Sequence, residues 1–136
     1  MERQVRVLIA DDQPATRRGL VALLSIHPQI EVVGEAADGR HALQMVADQH
    51  PDVVLMDVQM PVMNGVEATQ RIKRDWPEVK VIALTMHAGY RADLLAAGAD
   101  AFLLKDGAAD ALAVAILSQR MSTGPNSDHR KEVHAQ

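Results

Sequence analysis

Val53-Val54-Leu55-Met56-Asp57 is a run of four apolar residues closed by a carboxylate. It is too short for an ordinary helix, and it is β-branched without polar alternation, so it reads as a strand covered on both faces, as in a parallel sheet. Similar runs recur from Val5 to Ala10, Ile30 to Val33, Val79 to Leu84 and Ala101 to Leu104. Between them, apolar residues repeat at helical spacing: Leu20, Leu23 and Leu24; Leu43, Val46 and Ala47; Gly65, Ala68, Thr69 and Ile72; Leu112, Ala115 and Ile116. Each set gives a helix one apolar face. Asp38-Gly39 stands before the second helix, Asn64 followed by Glu67 resembles a capping box, and Pro77 follows the third helix. The pattern is a β-α unit repeated five times, which predicts parallel strands, right-handed crossovers and a three-layer α/β sandwich. Only Tyr90 to Ala97 is available for the fourth helix, between Gly89 and Gly98, so that helix is expected to be short.

The 136 residues suit a single domain, and 48% hydrophobic content is enough for a substantial core. One domain over residues 1–121 is expected. Beyond Ser118 the apolar face is lost, so residues 122–136 are expected to form a disordered polar tail. A net charge of −4 argues against a surface built to neutralise phosphate backbones, and Trp76, Tyr90 and Phe102 are too few for base stacking. Direct nucleic-acid binding is therefore not expected. The absence of cysteine excludes disulfides and thiolate metal sites. With no signal peptide and no apolar run long enough to span a bilayer, a cytoplasmic protein without membrane contact is expected.

In an open parallel sheet, function collects where the strands end. Strand one ends in Asp11-Asp12, strand three in Asp57, strand four in Thr85 and strand five in Lys105. The topology brings all five to one edge. Asp11-Asp12 could cap the first helix ahead of Pro14, but capping needs only one acid. Two adjacent carboxylates near a third repel one another unless a cation intervenes, and such oxygen ligands suit Mg²⁺. Asp57 could be a structural ion-pair partner of Lys105, but ion pairs seldom need two more carboxylates, whereas a carboxylate can attack phosphorus and form an aspartyl phosphate when a metal screens the two anions. Thr85 could donate a hydrogen bond to one phosphoryl oxygen while Lys105 supplies a point charge to another.

From about Val5 to Ser118 these residues, in this order, resemble the receiver domain of two-component response regulators. The resemblance is carried by Asp11-Asp12, Val53-Val54-Leu55-Met56-Asp57, Met60-Pro61-Val62-Met63-Asn64-Gly65, Leu84-Thr85 and Leu104-Lys105 taken together. It implies a flavodoxin-like (βα)5 fold with five parallel strands in the order 2-1-3-4-5 and helices on both faces. By position it makes Asp57 the phosphoacceptor, Asp12 a direct metal ligand and Asp11 a carboxylate acting on the metal largely through water. The backbone carbonyl of Gln59 would complete the protein ligands to Mg²⁺, or to Mn²⁺ in its place. Thr85 and Lys105 would bind the phosphoryl group and Phe102 would be the aromatic switch. Gln59 and His87, each two residues after a site residue, would modulate loss of the phosphoryl group. The implied donor is a sensor histidine kinase or a histidine phosphotransfer protein, and the implied output surface is formed by the fourth helix, fifth strand and fifth helix.

The wording Gly34-Glu35-Ala36-Ala37-Asp38-Gly39, Leu84-Thr85-Met86-His87 and Leu103-Leu104-Lys105-Asp106 is similar to receivers that precede a helix-turn-helix domain. Two departures stand beside the output face: Ala88 to Ala96 is shorter than the family pattern, and Asp106 replaces a frequent proline. The implied molecule is a switch with an unnamed output partner, not a turnover enzyme. Three other functions compete. A Mg²⁺-dependent phosphohydrolase of the haloacid-dehalogenase type resembles its kin in an acid two residues after the nucleophile, where Gln59 stands here. A flavodoxin-like cofactor binder needs a phosphate loop after strand one, where Asp11-Asp12 would repel phosphate. A pseudo-receiver acting by binding alone would not need the full acidic set.

Overall fold

The computed structural model describes residues 3–106 and 109–122. The elements run β1 (Val5–Ala10), α1 (Pro14–Ser25), β2 (Ile30–Ala36), α2 (Gly39–Gln49), β3 (Val53–Met56), α3 (Gly65–Asp75), β4 (Lys80–Thr85), a 3₁₀ turn (Ala88–Tyr90), α4 (Arg91–Ala96), β5 (Ala101–Leu104) and α5 (Ala109–Ser122). All strand pairs are parallel and the sheet order is β2-β1-β3-β4-β5. The expected five-stranded sandwich and its strand order are therefore present.

The two faces of the sheet follow from alternation along each strand. Leu8, Ala10, Val54, Met56 and Val81 pack with Ala42 and Val46 of α2 and Ala68 and Ile72 of α3. Val7, Ile9, Val53, Leu55 and Ile82 pack with Leu24 of α1 and Leu112, Ala113 and Ile116 of α5. A smaller cluster joins Val58, Ala83 and Leu94 of α4, with Tyr90 and Phe102 packed against it.

Local chemistry sets the boundaries. Asp38 accepts from the His41 backbone N–H and so caps α2; Asn64 accepts from the Glu67 N–H and caps α3. The second half of the expected capping box is spent differently, because the Glu67 carboxylate pairs with Arg71 at 2.8 Å. Helix α1 has Gln13 at its N-cap position with Pro14 behind it, and no side chain caps it. Strand β2 runs three residues past the expected Val33. Its Gly34, Glu35 and Ala36 pair with Leu8, Ile9 and Ala10 beyond a bulge. An edge strand tolerates such a polar ending because one side faces water. Helix α4 is as short as expected, with the 3₁₀ turn supplying its entry, and Gly98 ends it at φ +103, a conformation that favours glycine. Helix α5 continues through Ser122, past the point where its apolar face is lost. The rest of the expected tail, residues 123–136, lies outside the described residues. Among the described residues no helix is long and apolar enough to cross a membrane.

Candidate phosphoryl site

Backbone bonds between strand ends bring the polar residues together. Asp57 N–H donates to the Ala10 carbonyl at 2.9 Å, Asp11 N–H to Ala36 at 3.0 Å and Lys105 N–H to Thr85 at 2.8 Å. Gly65 N–H donates to the Val58 carbonyl at 2.8 Å. That approach is so close that a Cβ at Gly65 would collide with the Asp57 carbonyl oxygen, which explains the glycine in Asn64-Gly65. Within the same loop Met63 N–H turns back to the Pro61 carbonyl at 2.7 Å, which forces Val62 to φ +68. A β-branched residue is strained there.

Asp11, Asp12 and Asp57 each offer an oxygen, and these atoms lie within 4.8 Å of one another. Asp11 is 1% exposed and Asp57 7%. Lys105 Nζ sits between them, 2.7 Å from Asp11 Oδ2 and 3.2 Å from Asp57 Oδ1. Asp11 Oδ1 accepts from Gln13 N–H at 2.9 Å, and Asp57 Oδ1 from Val58 N–H at 2.8 Å. Arg17, joined to Glu35 at 3.2 Å, donates to the Asp11 carbonyl at 2.6 Å and so fixes the loop from the α1 side. The carboxylate of Asp12, only partly buried, has no hydrogen-bond or ion-pair partner among the described residues. Three acids thus face a single ammonium. This surplus of hard oxygen donors, one of them unengaged, fits a divalent cation such as Mg²⁺.

Electrostatics follow the packing. Burial pushes the Asp57 carboxyl above its ordinary range; the neighbouring Asp11 pushes the same way, and Lys105 with the Val58 N–H only partly offsets them. For Lys105, burial works to lower its pKa, but the hydrogen bond to Asp11 and the charges of Asp57 and Asp11 outweigh it, so the ammonium is held more firmly than usual. Lys105 is not a dedicated ion-pair partner of Asp57, because its shorter bond goes to Asp11.

Thr85 is 2% exposed, and its hydroxyl accepts from His87 N–H at 3.2 Å. Phe102 lies opposite Ala83 in the β4–β5 register and is partly buried in the small cluster with Tyr90. Gln59 and His87 are exposed at the rim. Both meet a residue that the sequence reading left unassigned: Gln59 Nε2 donates to the Tyr90 hydroxyl at 3.1 Å, and the His87 ring stands edge-on to the Tyr90 ring with centroids 6.4 Å apart. Tyr90 and Arg17 are the two contributors missed. Tyr90 left a faint signal, an aromatic inside an unusually short connection; Arg17 left none, as one cation among many on α1.

Comparison with known proteins places this arrangement. The model of the response regulator receiver domain matches residues 7–117. The transcriptional regulatory protein DegU of Brevibacillus brevis is 40% identical over 117 residues, covering 85% of this chain and 50% of that protein. The response regulator protein VraR of Staphylococcus aureus is 42% identical over 116 residues, covering 82% of this chain and 54% of its own length. The chain thus spans about half the length of these curated relatives. Among solved structures, the signal receiver domain of the putative response regulator NarL of Mycobacterium tuberculosis superposes with a TM-score of 0.80 at 35% identity, covering 86% of this chain and 96% of that one. A CheY-like receiver domain protein of Methanospirillum hungatei gives 0.81 at 25% identity, covering 90% and 97%.

Proposed function

The chain belongs to the response regulator receiver domain family, the phosphorylation-dependent switches of two-component signalling, and from that premise we propose that Asp57 is its phosphoryl acceptor. The observation that carries this reading is the unbalanced cluster: a nearly buried Asp57, a lysine shared with Asp11, and an unengaged Asp12 within ligand distance. A structural ion pair needs neither extra carboxylate.

In the transfer step an Asp57 carboxylate oxygen bonds to phosphorus as the P–N bond of a donor phosphohistidine breaks, and the imidazole nitrogen keeps the electron pair. The donor is a sensor histidine kinase or a histidine phosphotransfer protein. Asp11, Asp12 and Asp57, with the Gln59 backbone carbonyl, would hold Mg²⁺ or Mn²⁺, which when bound screens the approach of phosphoryl anion to carboxylate. Lys105, already at the Asp57 oxygen, pairs with one phosphoryl oxygen. The Thr85 hydroxyl leaves the His87 N–H to donate to another. The void this leaves is filled by Phe102, and the surface made by α4, β5 and α5 changes for an output partner in the cytoplasm. Gln59 and His87 at the rim set the lifetime of the modified state. The molecule works as a switch with one acceptor, not as a turnover catalyst.

Incubation with Mg²⁺ and a small phosphodonor, read by intact mass, should add one phosphoryl group to the protein and none to Asp57→Asn. An unmodified mass with metal binding verified would sink the reading, and equal labelling of Asp57→Asn would move the acceptor elsewhere.

A further inference from the structure

The two rim positions that flank the acceptor come from different loops. Gln59 follows β3, and His87 follows β4. Both meet on Tyr90, in the 3₁₀ turn that opens α4: Gln59 through its amide at 3.1 Å, His87 through an edge-on ring contact. The Tyr90 ring is in turn seated on Val58, Ala83 and Leu94, the same small cluster that receives Phe102. One phenol therefore ties the side chain two residues after Asp57 to the loop two residues after Thr85, and rests where the aromatic of β5 rests.

We propose that Tyr90 is a positioning residue for loss of the phosphoryl group, its hydroxyl latching the Gln59 carboxamide at the rim and so lengthening the life of the aspartyl phosphate. The inference rests on Asp57 being the acceptor. In the hydrolysis a water oxygen bonds to phosphorus as the Asp57 O–P bond breaks, returning the carboxylate and inorganic phosphate, which carries off the proton from water. A carboxamide aids that step by accepting from the water on the far side of phosphorus, and this requires it to swing inward. With Nε2 committed to the Tyr90 oxygen, Gln59 spans from the β3 loop to the β4 loop and stays out of that path. The bond is a neutral one at an exposed rim, so it biases Gln59 without fixing it. Because the ring sits on the cluster shared with Phe102, any movement of that aromatic on activation also moves the anchor of the latch.

Tyr90→Phe removes only the hydroxyl and keeps the ring on its cluster. The expected result is unchanged thermal stability, an unchanged initial rate of Mg²⁺-supported labelling, and loss of phosphoryl accelerated by roughly three- to tenfold, the factor expected for one neutral hydrogen bond. In a Gln59→Ala background the same substitution should have no effect on the rate. The Gln59 side-chain amide resonances of the unmodified protein should shift in Tyr90→Phe, a readout that needs no phosphorylation. An equal or longer lifetime in labelled Tyr90→Phe, an acceleration that persists in Gln59→Ala, or unmoved amide resonances would each overturn the latch while leaving the acceptor in place. A wild-type protein that takes no label would instead overturn the acceptor reading and the lifetime role with it.

Discussion

The two ends of the sheet handle charge in opposite ways. At the carboxyl ends of the strands Asp11, Asp12 and Asp57 converge on one lysine, and the sum is left negative. At the amino ends Asp52 is matched: it accepts the Arg6 backbone N–H at 2.8 Å and a two-pronged contact from Arg3 at 3.0 and 3.1 Å. Arg6 in turn caps the α2 C-terminus, reaching the Gln49 and His50 carbonyls at 2.6 and 2.9 Å, where His50 takes φ +48. A cavity of about 460 Å³ opens at this second end, lined in part by Arg3, His50, Asp52 and Gln119. Neither this cavity nor one of about 470 Å³ beside α3 is lined by the acidic cluster. A matched set of ions fastens chain to chain, whereas an unmatched set of carboxylates leaves a demand for a cation, which makes the carboxyl end the candidate working end.

The largest expected stability effect comes from Asp52. Asp52→Ala strands the Arg6 N–H at the start of β1 and releases Arg3, and should cost about 1–3 kcal/mol in denaturant unfolding. Mg²⁺-supported labelling of Asp57 should not change. A neutral Asp52→Ala, or one that alters labelling, would erase the distinction between a fastening end and a working end.

Asp57→Asn should act in the reverse direction and with smaller size. Burial raises the Asp57 carboxyl, so the folded state prefers it protonated. That preference stabilises the fold fully below the ordinary carboxyl value of 3.8 and is lost as pH rises through the higher folded value. Asparagine keeps an oxygen for the Val58 N–H and carries no charge. Without divalent cations the variant should melt above the wild type at pH 7, and the gap should close on acidification toward pH 4. Added Mg²⁺ should raise the wild-type melting temperature more than that of the variant. A variant less stable than wild type at neutral pH would mean that Asp57 is matched after all.

How much of this was legible in the sequence depends on range. The runs at Val5–Ala10 and Val53–Met56 became strands with those limits because both faces are covered and apolar content decides them, and Ala101–Leu104 kept its limits as a partly buried edge strand. Val33 was too early an end for β2, because Gly34-Glu35-Ala36 looks like a turn until β1 is beside it. The clustering of Asp11, Asp12, Asp57, Thr85 and Lys105 was legible because each closes a strand, and a parallel sheet turns chain position into spatial neighbourhood. Contacts made by long side chains across loops obey no such rule. That Lys105 would bond more closely to Asp11 than to Asp57, that Arg17 would hold the Asp11 carbonyl, and that Tyr90 would reach Gln59 all depend on rotamers and on loop packing.

The smallest effect should come from Arg3, and it sharpens the contrast most because Arg3 has the best-looking geometry. Its guanidinium makes a two-pronged contact with Asp52, yet its side chain is 70% exposed, so water competes for both groups and the ordering of a long side chain offsets much of the attraction. Asp52 also keeps the Arg6 N–H when Arg3 is gone. Arg3→Ala should therefore cost less than about 0.5 kcal/mol, fading further in high salt, with labelling of Asp57 unaffected. A loss comparable to that of Asp52→Ala would show that the fork, and not the backbone bond, holds the amino end together. What makes a charge matter in this fold would then be its pairing geometry and not how far it is withdrawn from water, and the same criterion would have to be applied to Lys105, where withdrawal and pairing coincide.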